Sequence, residues 1–122
     1  MVKAAEVKLS EIKLSEIERG AIKRGEVYWV NLDPTIGTEV HKIRPALIIS
    51  PDDMNAALPR VIIAPLTSKG QPLGCRPELL FEGKQARILL DQIRTIDKQR
   101  LAGRLGGIEL KVWHPLLLEM LA

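Results

Sequence analysis

The 122-residue chain contains little cysteine and few aromatic residues, and each shortage excludes a class of protein. Cys75 is the single cysteine, so no disulfide can form within the chain, which fits a reducing compartment. The aromatic side chains are Tyr28, Trp29, Phe81 and Trp113, or 3% of all residues. The core must therefore be aliphatic, and a nucleic-acid site here cannot rest on a large aromatic stacking platform.

Motifs for metals, nucleotides and membranes are missing as well. A zinc site needs three or four convergent ligands, whereas this chain has one cysteine and two distant histidines, His41 and His114. It has no glycine-rich phosphate loop and no G-x-S-x-G nucleophile elbow. No apolar run approaches the roughly 20 residues of a membrane span, and the N-terminus lacks an apolar signal segment. The sequence predicts a soluble cytoplasmic protein that needs no metal or cofactor.

Positive charge is present, but it is local. The formal net charge is +3, while residues 1–22 contain four basic and four acidic residues and so contribute nothing to it. Residues 84–104 contain six basic and two acidic residues, a net +4. Such a segment can attract an anionic partner such as nucleic acid, although charge alone is explained more simply by a solvated basic surface.

Residues 1–22 differ in pattern from the rest of the chain. They contain the repeat "KLSEIKLSEI", whose apolar positions are spaced alternately by two and three, a period that fits neither a helix nor a strand. We therefore expect an N-terminal appendage over 1–22 and one domain over 23–122. The appendage is an added edge strand, a frayed arm or an artefact of the start site.

Short strands separated by loops dominate the remainder. Alternation and β-branched residues predict strands in "GEVYWVNLD", "PALIIS", "RVIIAPLT", "ELLF", "ARILL" and "IRTID". Pro65 interrupts the third of these, which indicates an edge or a bulge. Two long loops, "PTIGTEVHKI" and "SKGQPLGCRP", are where function is expected.

Helical and turn segments complete the pattern. "PDDMNAALP" predicts one helical turn, and "KQRLAGRLGG" predicts a turn that ends at Gly106 and Gly107. "IELKVWHPLLLEMLA" predicts a C-terminal helix that Pro115 kinks or splits. Five or six short strands with one terminal helix predict a mainly β fold, a small antiparallel barrel with helical additions.

Polar residues stand where several of these strands begin or end. Arg44 precedes the proline that opens one apolar strand, Thr67 and Ser68 end the next, and Asp91 and Gln92 follow "ILL". Each has an ordinary structural explanation: an arginine stem packed on the barrel, a threonine suited to a strand end, an acidic turn. Their joint occurrence is the more informative observation.

In order and spacing, "GEVYWVNLDPTIGTE", "RPALIISP", "PLTS" and "LDQIRTIDKQRL" resemble successive motifs of the MazF/PemK toxins of bacterial toxin–antitoxin systems. The resemblance covers roughly residues 23–122. It implies a small SH3-like β-barrel, usually a homodimer. It also implies a metal-independent endoribonuclease that cuts single-stranded RNA, often messenger RNA, at short sequences and is inhibited by a cognate antitoxin.

The resemblance also assigns residue roles. Arg44 and Thr67 fall on the family's main catalytic residues, and Asp91 falls on an acid proposed as a base in some members. Contacts to RNA are expected from the neighbouring polar residues Glu39, His41, Lys42, Ser68, Lys69 and Gln92.

This chain departs from the family pattern at three places. Thr38 replaces a histidine of some members, and Leu89 replaces an arginine that some members carry two positions before the D-Q pair. Many members carry E-Q-x-G before the arginine, whereas this chain has "EVHKI", which puts Val40 and His41 there. The first two departures argue against an acid–base mechanism built from those side chains, and the third indicates different RNA contacts.

Metal-free RNA cleavage explains why such residues are needed. The 2′-hydroxyl attacks the adjacent phosphorus, and a guanidinium can fork onto two phosphoryl oxygens as their charge grows. Threonine can donate a hydrogen bond to the same phosphate, while Asp91, Glu39 and His41 all remain candidates for the general base.

Two other classes of function stay open. Gyrase-poisoning toxins share this fold and cut no RNA, but they carry an essential tryptophan at the C-terminal tip. Here the chain ends "LEMLA" and Trp113 lies inside the helix pattern. The third possibility is a binding module or a decayed toxin, against which the presence of Arg44 and Thr67 argues.

Overall fold

The computed structural model describes residues 21–32 and 43–122. This part contains seven strands, β1 (Glu26–Asn31), β2 (Ile43–Ile48), β3 (Arg60–Thr67), β4 (Glu78–Phe81), β5 (Lys84–Ile88), β6 (Arg94–Asp97) and β7 (Leu101–Gly107). Its α-helices are α1 (Asp52–Ala57) and α2 (Leu110–Leu121), and single 3-10 turns cover Leu90–Gln92 and Lys98–Arg100. Neither α-helix in these ranges is long and apolar enough to cross a membrane.

All the strand pairs are antiparallel and belong to one sheet, with the order β4-β5-β3-β2-β1-β7 and β6 paired to β3. The sheet curls so that its two end strands approach each other. A Cβ atom placed on Gly106 of β7 would lie 3.5 Å from the ring of Phe81 of β4. The predicted fold class, mainly β with a C-terminal helix, is confirmed.

Both faces of the central strands are buried, because successive side chains of a strand point to opposite faces. Val27, Leu47 and Leu66 belong to an inner cluster that α2 covers with Trp113 and Leu117. A second cluster on the opposite face contains Tyr28, Val30, Ala46, Ile48, Val61, Ile63 and Ile96. This double burial explains why β2 and β3 read as nearly continuous apolar runs in the sequence.

The connection between β4 and β5 is a tight turn. Phe81 pairs with Lys84, which leaves Glu82 and Gly83 as a two-residue loop. Both have positive φ, 52° and 78°, as a type I′ turn requires. The primed turn matches the twist of the flanking strands. The strand predicted in "ELLF" is confirmed, and the one predicted in "ARILL" begins and ends two residues earlier than expected.

Pro65 lies inside a central strand rather than at an edge, contrary to the first of the two expectations for it. The Pro65 carbonyl accepts a hydrogen bond from the Leu89 N–H at 2.8 Å. In an antiparallel strand the N–H and C=O of one residue point to the same side of the strand. The N–H that proline lacks would therefore have pointed toward Leu89 as well. On that side β3 changes its pairing from β6, at Ile63, to β5, at Leu66. The proline is tolerated because no ladder bond is lost at this break.

The turn predicted for "KQRLAGRLGG" is wrong over most of its length, since Leu101–Gly107 forms β7. Its glycines weaken the local strand signal, but pairing with β1 overrides it. Gly106 and Gly107 stand opposite Val27 and Glu26, and the register shifts twice along this pair of strands. Arg104 reinforces the pairing through a 2.6 Å ion pair with Glu26.

The C-terminal helix is continuous from Leu110 to Leu121 with Pro115 inside it, so the predicted split does not occur. Trp113 is fully buried and Leu117 is nearly so, and the guanidinium of Arg24 lies 5.5 Å from the centre of the Trp113 ring. Burial of these large side chains offsets the one intrahelical hydrogen bond that proline cannot make.

Ile22 packs into the second cluster and is 2% exposed. The sequence placed this residue at the end of the expected appendage, yet its side chain contributes to the core. Most of the 1–22 segment, like most of the loop "PTIGTEVHKI", lies outside the described residues, so the predicted domain boundary stays a prediction.

Candidate active site

Arg44 and Thr67 are brought together by the register of β2 and β3. Ala46 pairs with Pro65, and the same register continued by two residues sets Arg44 opposite Thr67. Arg44 lies two residues from Ala46 on β2, and Thr67 lies four residues from Ile63 on β3. Because alternate residues of a strand share a face, both side chains project from the face that carries the second cluster. The two residues therefore form a cross-strand pair where that cluster ends.

This pair opens onto a cavity of about 680 Å³. Its described lining consists of apolar and polar residues from four parts of the chain: Leu32, Arg44, Pro45, Pro65, Leu66, Thr67, Ser68, Lys69, Leu89, Gln92, Ile93 and Arg94. Three of these side chains are cationic and none is acidic. Within the described lining, the cavity combines an apolar floor with a positively charged rim, which suits an anionic ligand.

The Arg44 side chain is exposed, but its backbone is firmly held. Ile43 and Ala46 on the same strand are buried, and Arg44 pairs with Val30 of β1. Pro45 fixes its own φ and restricts Arg44 to extended geometry. The planar guanidinium, with its five donors, thus projects from a rigid root.

The Thr67 hydroxyl is oriented by the backbone that follows it. The Lys69 N–H donates a hydrogen bond to Thr67 Oγ1 at 3.1 Å. Because this bond uses an acceptor site of the oxygen, the hydroxyl proton remains available for donation to a ligand. Local turns of this kind are typical of threonine at a strand end.

Arg94 is a cavity residue that the sequence analysis did not single out. It pairs with Ile63 across β6 and β3, so it shares the face of Arg44 and Thr67. The net +4 of residues 84–104 was the available signal, but charge counting cannot tell which of six cations faces a site. Only the strand register selects Arg94.

Asp91 is held by an arginine of the second long loop. Arg76 donates from Nε to Oδ1 at 3.0 Å and from Nη2 to Oδ2 at 2.9 Å. The hydrogen bond from Arg76 lowers the pKa of the Asp91 carboxyl below its usual range, and the same bond raises the pKa of Arg76. Asp91 is not among the described residues that line the cavity, although its neighbour Gln92 is.

The remaining predicted site residues divide into two groups. Ser68, Lys69 and Gln92 lie at the cavity, as Arg44 and Thr67 do. Glu39, His41 and Lys42 lie outside the described residues. Across residues 21–32 and 43–122, no three His, Cys, Asp or Glu side chains converge on a point where a metal ion would bind.

Comparison with known proteins identifies the family. Residues 23–117 match the model of the PemK-like, MazF-like toxins of type II toxin–antitoxin systems. The chain belongs to this toxin family. The matched region contains every residue of the cavity described above.

Individual relatives of the toxin family agree with the match. The chain is 38% identical to endoribonuclease EndoA of Bacillus subtilis over 90 residues, which cover 69% of this chain and 78% of that protein. Among solved structures, MazF from Deinococcus radiodurans is 27% identical with a TM-score of 0.67, covering 82% of this chain and 96% of that one. A MazE–MazF structure from the same organism is 25% identical with a TM-score of 0.65, covering 82% and 95%.

Proposed function

We propose that this member of the toxin family is an endoribonuclease that cleaves single-stranded RNA at short sequences without a metal ion. The observation that carries the proposal is the Arg44–Thr67 pair, which projects from one sheet face into a cationic cavity. A guanidinium and a hydroxyl on facing strands can engage one phosphate from two directions.

The reaction uses the RNA's own nucleophile. O2′ bonds to phosphorus while the P–O5′ bond breaks, the 2′-hydroxyl proton passes to a base, and O5′ gains a proton. The products are a 2′,3′-cyclic phosphate and a 5′-hydroxyl. Arg44 stabilises the charge that grows on the phosphoryl oxygens, and Thr67 donates a hydrogen bond to the same group. Donors of this kind contribute on the order of 3–4 kcal/mol each to lowering the barrier.

The other cations extend the binding surface. Lys69 lies two residues after Thr67, in the second long loop, and Arg94 of β6 lines the same cavity. Phosphates that flank the scissile one carry the same negative charge, so we assign these two side chains to the flanking backbone. Ser68 and Gln92 provide uncharged polar contacts that can reach base edges. Asp91, Glu39 and His41 are the candidate bases.

We also propose that the chain forms a homodimer and is inhibited by a cognate antitoxin. The solved MazE–MazF structure provides the precedent for the antitoxin. For the dimer, α2 leaves Leu110, Leu118 and Leu121 between 47% and 65% exposed, more apolar surface than a monomer of this size needs. A sedimentation measurement that finds a fully active monomer at micromolar concentration would contradict the dimer.

Mapping of cut ends tests the proposed activity. Purified protein is incubated with mixed RNA in EDTA, and both ends of each fragment are identified. We expect cuts at one short sequence, with 2′,3′-cyclic phosphate and 5′-hydroxyl ends. Intact RNA together with inhibition of gyrase would favour the gyrase-poisoning alternative, and intact RNA without it would favour a decayed toxin. Activity that EDTA abolishes and one divalent ion restores would overturn the metal-free mechanism.

A further inference from the structure

The bidentate pair of Arg76 and Asp91 joins two segments that border the cavity from different directions. Asp91 lies in the 3-10 turn Leu90–Gln92, between the cavity residues Leu89 and Gln92. Arg76 lies near the end of the loop 68–77, whose first two residues, Ser68 and Lys69, line the same cavity. The pair thus links residues 15 positions apart in the sequence.

The Arg76 guanidinium also reaches the start of its own loop. Gly70 has a φ of +107°, and a Cβ atom placed on it would lie 3.6 Å from Arg76 Nη1 and 3.8 Å from Thr67 Cγ2. Glycine therefore allows the backbone after Lys69 to turn beside the guanidinium. The Arg76 side chain is only 16% exposed, although arginine is usually a surface residue. One side chain thus packs between the entrance of the loop and the 3-10 turn.

The far end of the loop is fixed as well. The Arg76 N–H donates to the Leu73 carbonyl at 2.9 Å, and Arg87 Nη1 donates to the Arg76 carbonyl at 3.4 Å. The Pro77 carbonyl accepts from the Ile88 N–H at 3.1 Å. Arg76 is therefore rooted on β5 at its backbone, while its head group holds Asp91.

We propose that Asp91 and Arg76 are positioning residues, which anchor the loop 68–77 against the 3-10 turn and so place Lys69 and Ser68 for RNA binding. The inference rests on the proposed RNA cleavage and departs from the role as a base that family resemblance suggests for Asp91. Both carboxylate oxygens accept a hydrogen bond from Arg76, and Asp91 is not among the described residues that line the cavity, so its carboxylate is directed to the guanidinium rather than to the proposed RNA site. Because Arg76 also lowers the pKa of Asp91, the carboxylate is a weaker base than an ordinary aspartate.

The two roles predict different results for conservative changes. Asp91→Asn keeps the shape of the side chain and one acceptor for Arg76, so we expect a loss of kcat/KM of only about threefold and an unchanged pH–rate profile. Loss of a general base would instead lower kcat/KM by roughly 10²–10⁴-fold and would remove one limb of the pH–rate profile. This variant keeps most of the packing, so its folding is the least affected.

A double-mutant cycle tests the coupling. Asp91→Ala and Arg76→Ala should each lower kcat/KM by about tenfold, mainly through KM, and the double variant should be no worse than either single one. Exchanging the two residues, Arg76→Asp with Asp91→Arg, should recover most of the lost activity. Arg104→Ala, which breaks the Glu26 ion pair outside the cavity, is the matched control and should leave KM unchanged.

Each outcome decides one claim. An Asp91→Asn protein that loses more than a hundredfold while Arg76→Ala remains active would establish Asp91 as the base and overturn the anchor. The anchoring role would also be overturned if the losses of Asp91→Ala and Arg76→Ala add up in the double variant, or if the two alanine variants keep the wild-type KM. If the wild-type protein cuts no RNA, the proposed function fails, and amide hydrogen exchange then decides the anchor separately. Faster exchange across 68–77 in Arg76→Ala would support the anchor, and unchanged exchange would overturn it.

Discussion

Arg44 lies two residues before Ala46 on β2 and Thr67 two residues after its partner Pro65 on β3, so the antiparallel register, continued by two residues, sets them opposite each other on one face of the sheet. Such cross-strand neighbours have Cβ atoms about 4.5–5.5 Å apart, close enough for both side chains to contact one phosphate. The relationship depends on the register alone, since a slip of one residue would turn one of the two side chains to the opposite face. The buried second cluster on this face fixes that register.

Thr67→Val should lower the rate of RNA cleavage far more than RNA affinity. Valine is nearly isosteric but cannot donate a hydrogen bond, so the transition state loses one donor, a loss of about 10²-fold or more. Single-turnover cleavage measures the effect on the rate, and a separate binding titration measures the effect on RNA affinity. Thr95→Val, at an exposed residue of β6, is the matched control and should cut at a normal rate. A Thr67→Val protein with lower affinity but an intact rate would contradict the assignment.

Arg94→Gln should weaken RNA binding and reduce its dependence on salt. If Arg94 contacts one flanking phosphate, the slope of log affinity against log salt should fall by about 0.7 for single-stranded RNA. Lys111→Gln makes the same change in charge on α2, outside the cavity, and should leave the slope unaltered. Equal slopes for wild type and Arg94→Gln would place this side chain away from the RNA.

Ile22→Ala should destabilise the fold by about 2–4 kcal/mol, because it removes a buried aliphatic side chain from the second cluster. Leu58→Ala, at a residue 48% exposed, is the control and should change stability by less than about 0.5 kcal/mol.

Two truncated chains test the same burial of Ile22. A chain that begins at residue 21 should fold and cut RNA, whereas one that begins at Lys23 should be less stable. Chemical denaturation of the four proteins gives the comparison, and equal stability of the two truncated chains would contradict the burial.

The stability contributed by the Arg76–Asp91 pair should depend on pH in one direction. The folded-state pKa of Asp91 is lowered, so its contribution is fully present above the unfolded pKa, about 3.9, and is lost as the pH falls through the folded value. The difference in melting temperature between wild type and Arg76→Ala should be constant from about pH 8 to 5 and should shrink in more acidic buffer. A difference that grows on acidification would refute this.

Much of the fold follows from local sequence patterns. Alternation in "EVYWVN" predicts β1, and the short runs "ELLF" and "ARILL" predict the two strands β4 and β5. The position of β7 could not be predicted in this way, because its glycines lower the local preference for a strand and only pairing with β1 restores it. The presence of Pro65 predicts a break in strand pairing, but the sequence around it does not reveal that this break lies inside the sheet.

The candidate site was less accessible to sequence reasoning than the fold. Arg44 and Thr67 were selected by family resemblance, since neither residue type is unusual at a strand end. Arg94 depends on a strand register, and the link from Arg76 to Asp91 crosses two strands and a turn without any local pattern. Such contacts between distant segments become visible only in three dimensions.

The cleavage rate of Arg44→Lys tests the central claim most directly. Lysine keeps the charge but loses the planar fork, so a clamp on two phosphoryl oxygens predicts a rate lower by about a hundredfold or more, with RNA binding much less affected. Arg60→Lys, another exposed arginine at a strand end, is the matched control and should cut normally. A near-normal single-turnover rate for folded Arg44→Lys would contradict the account.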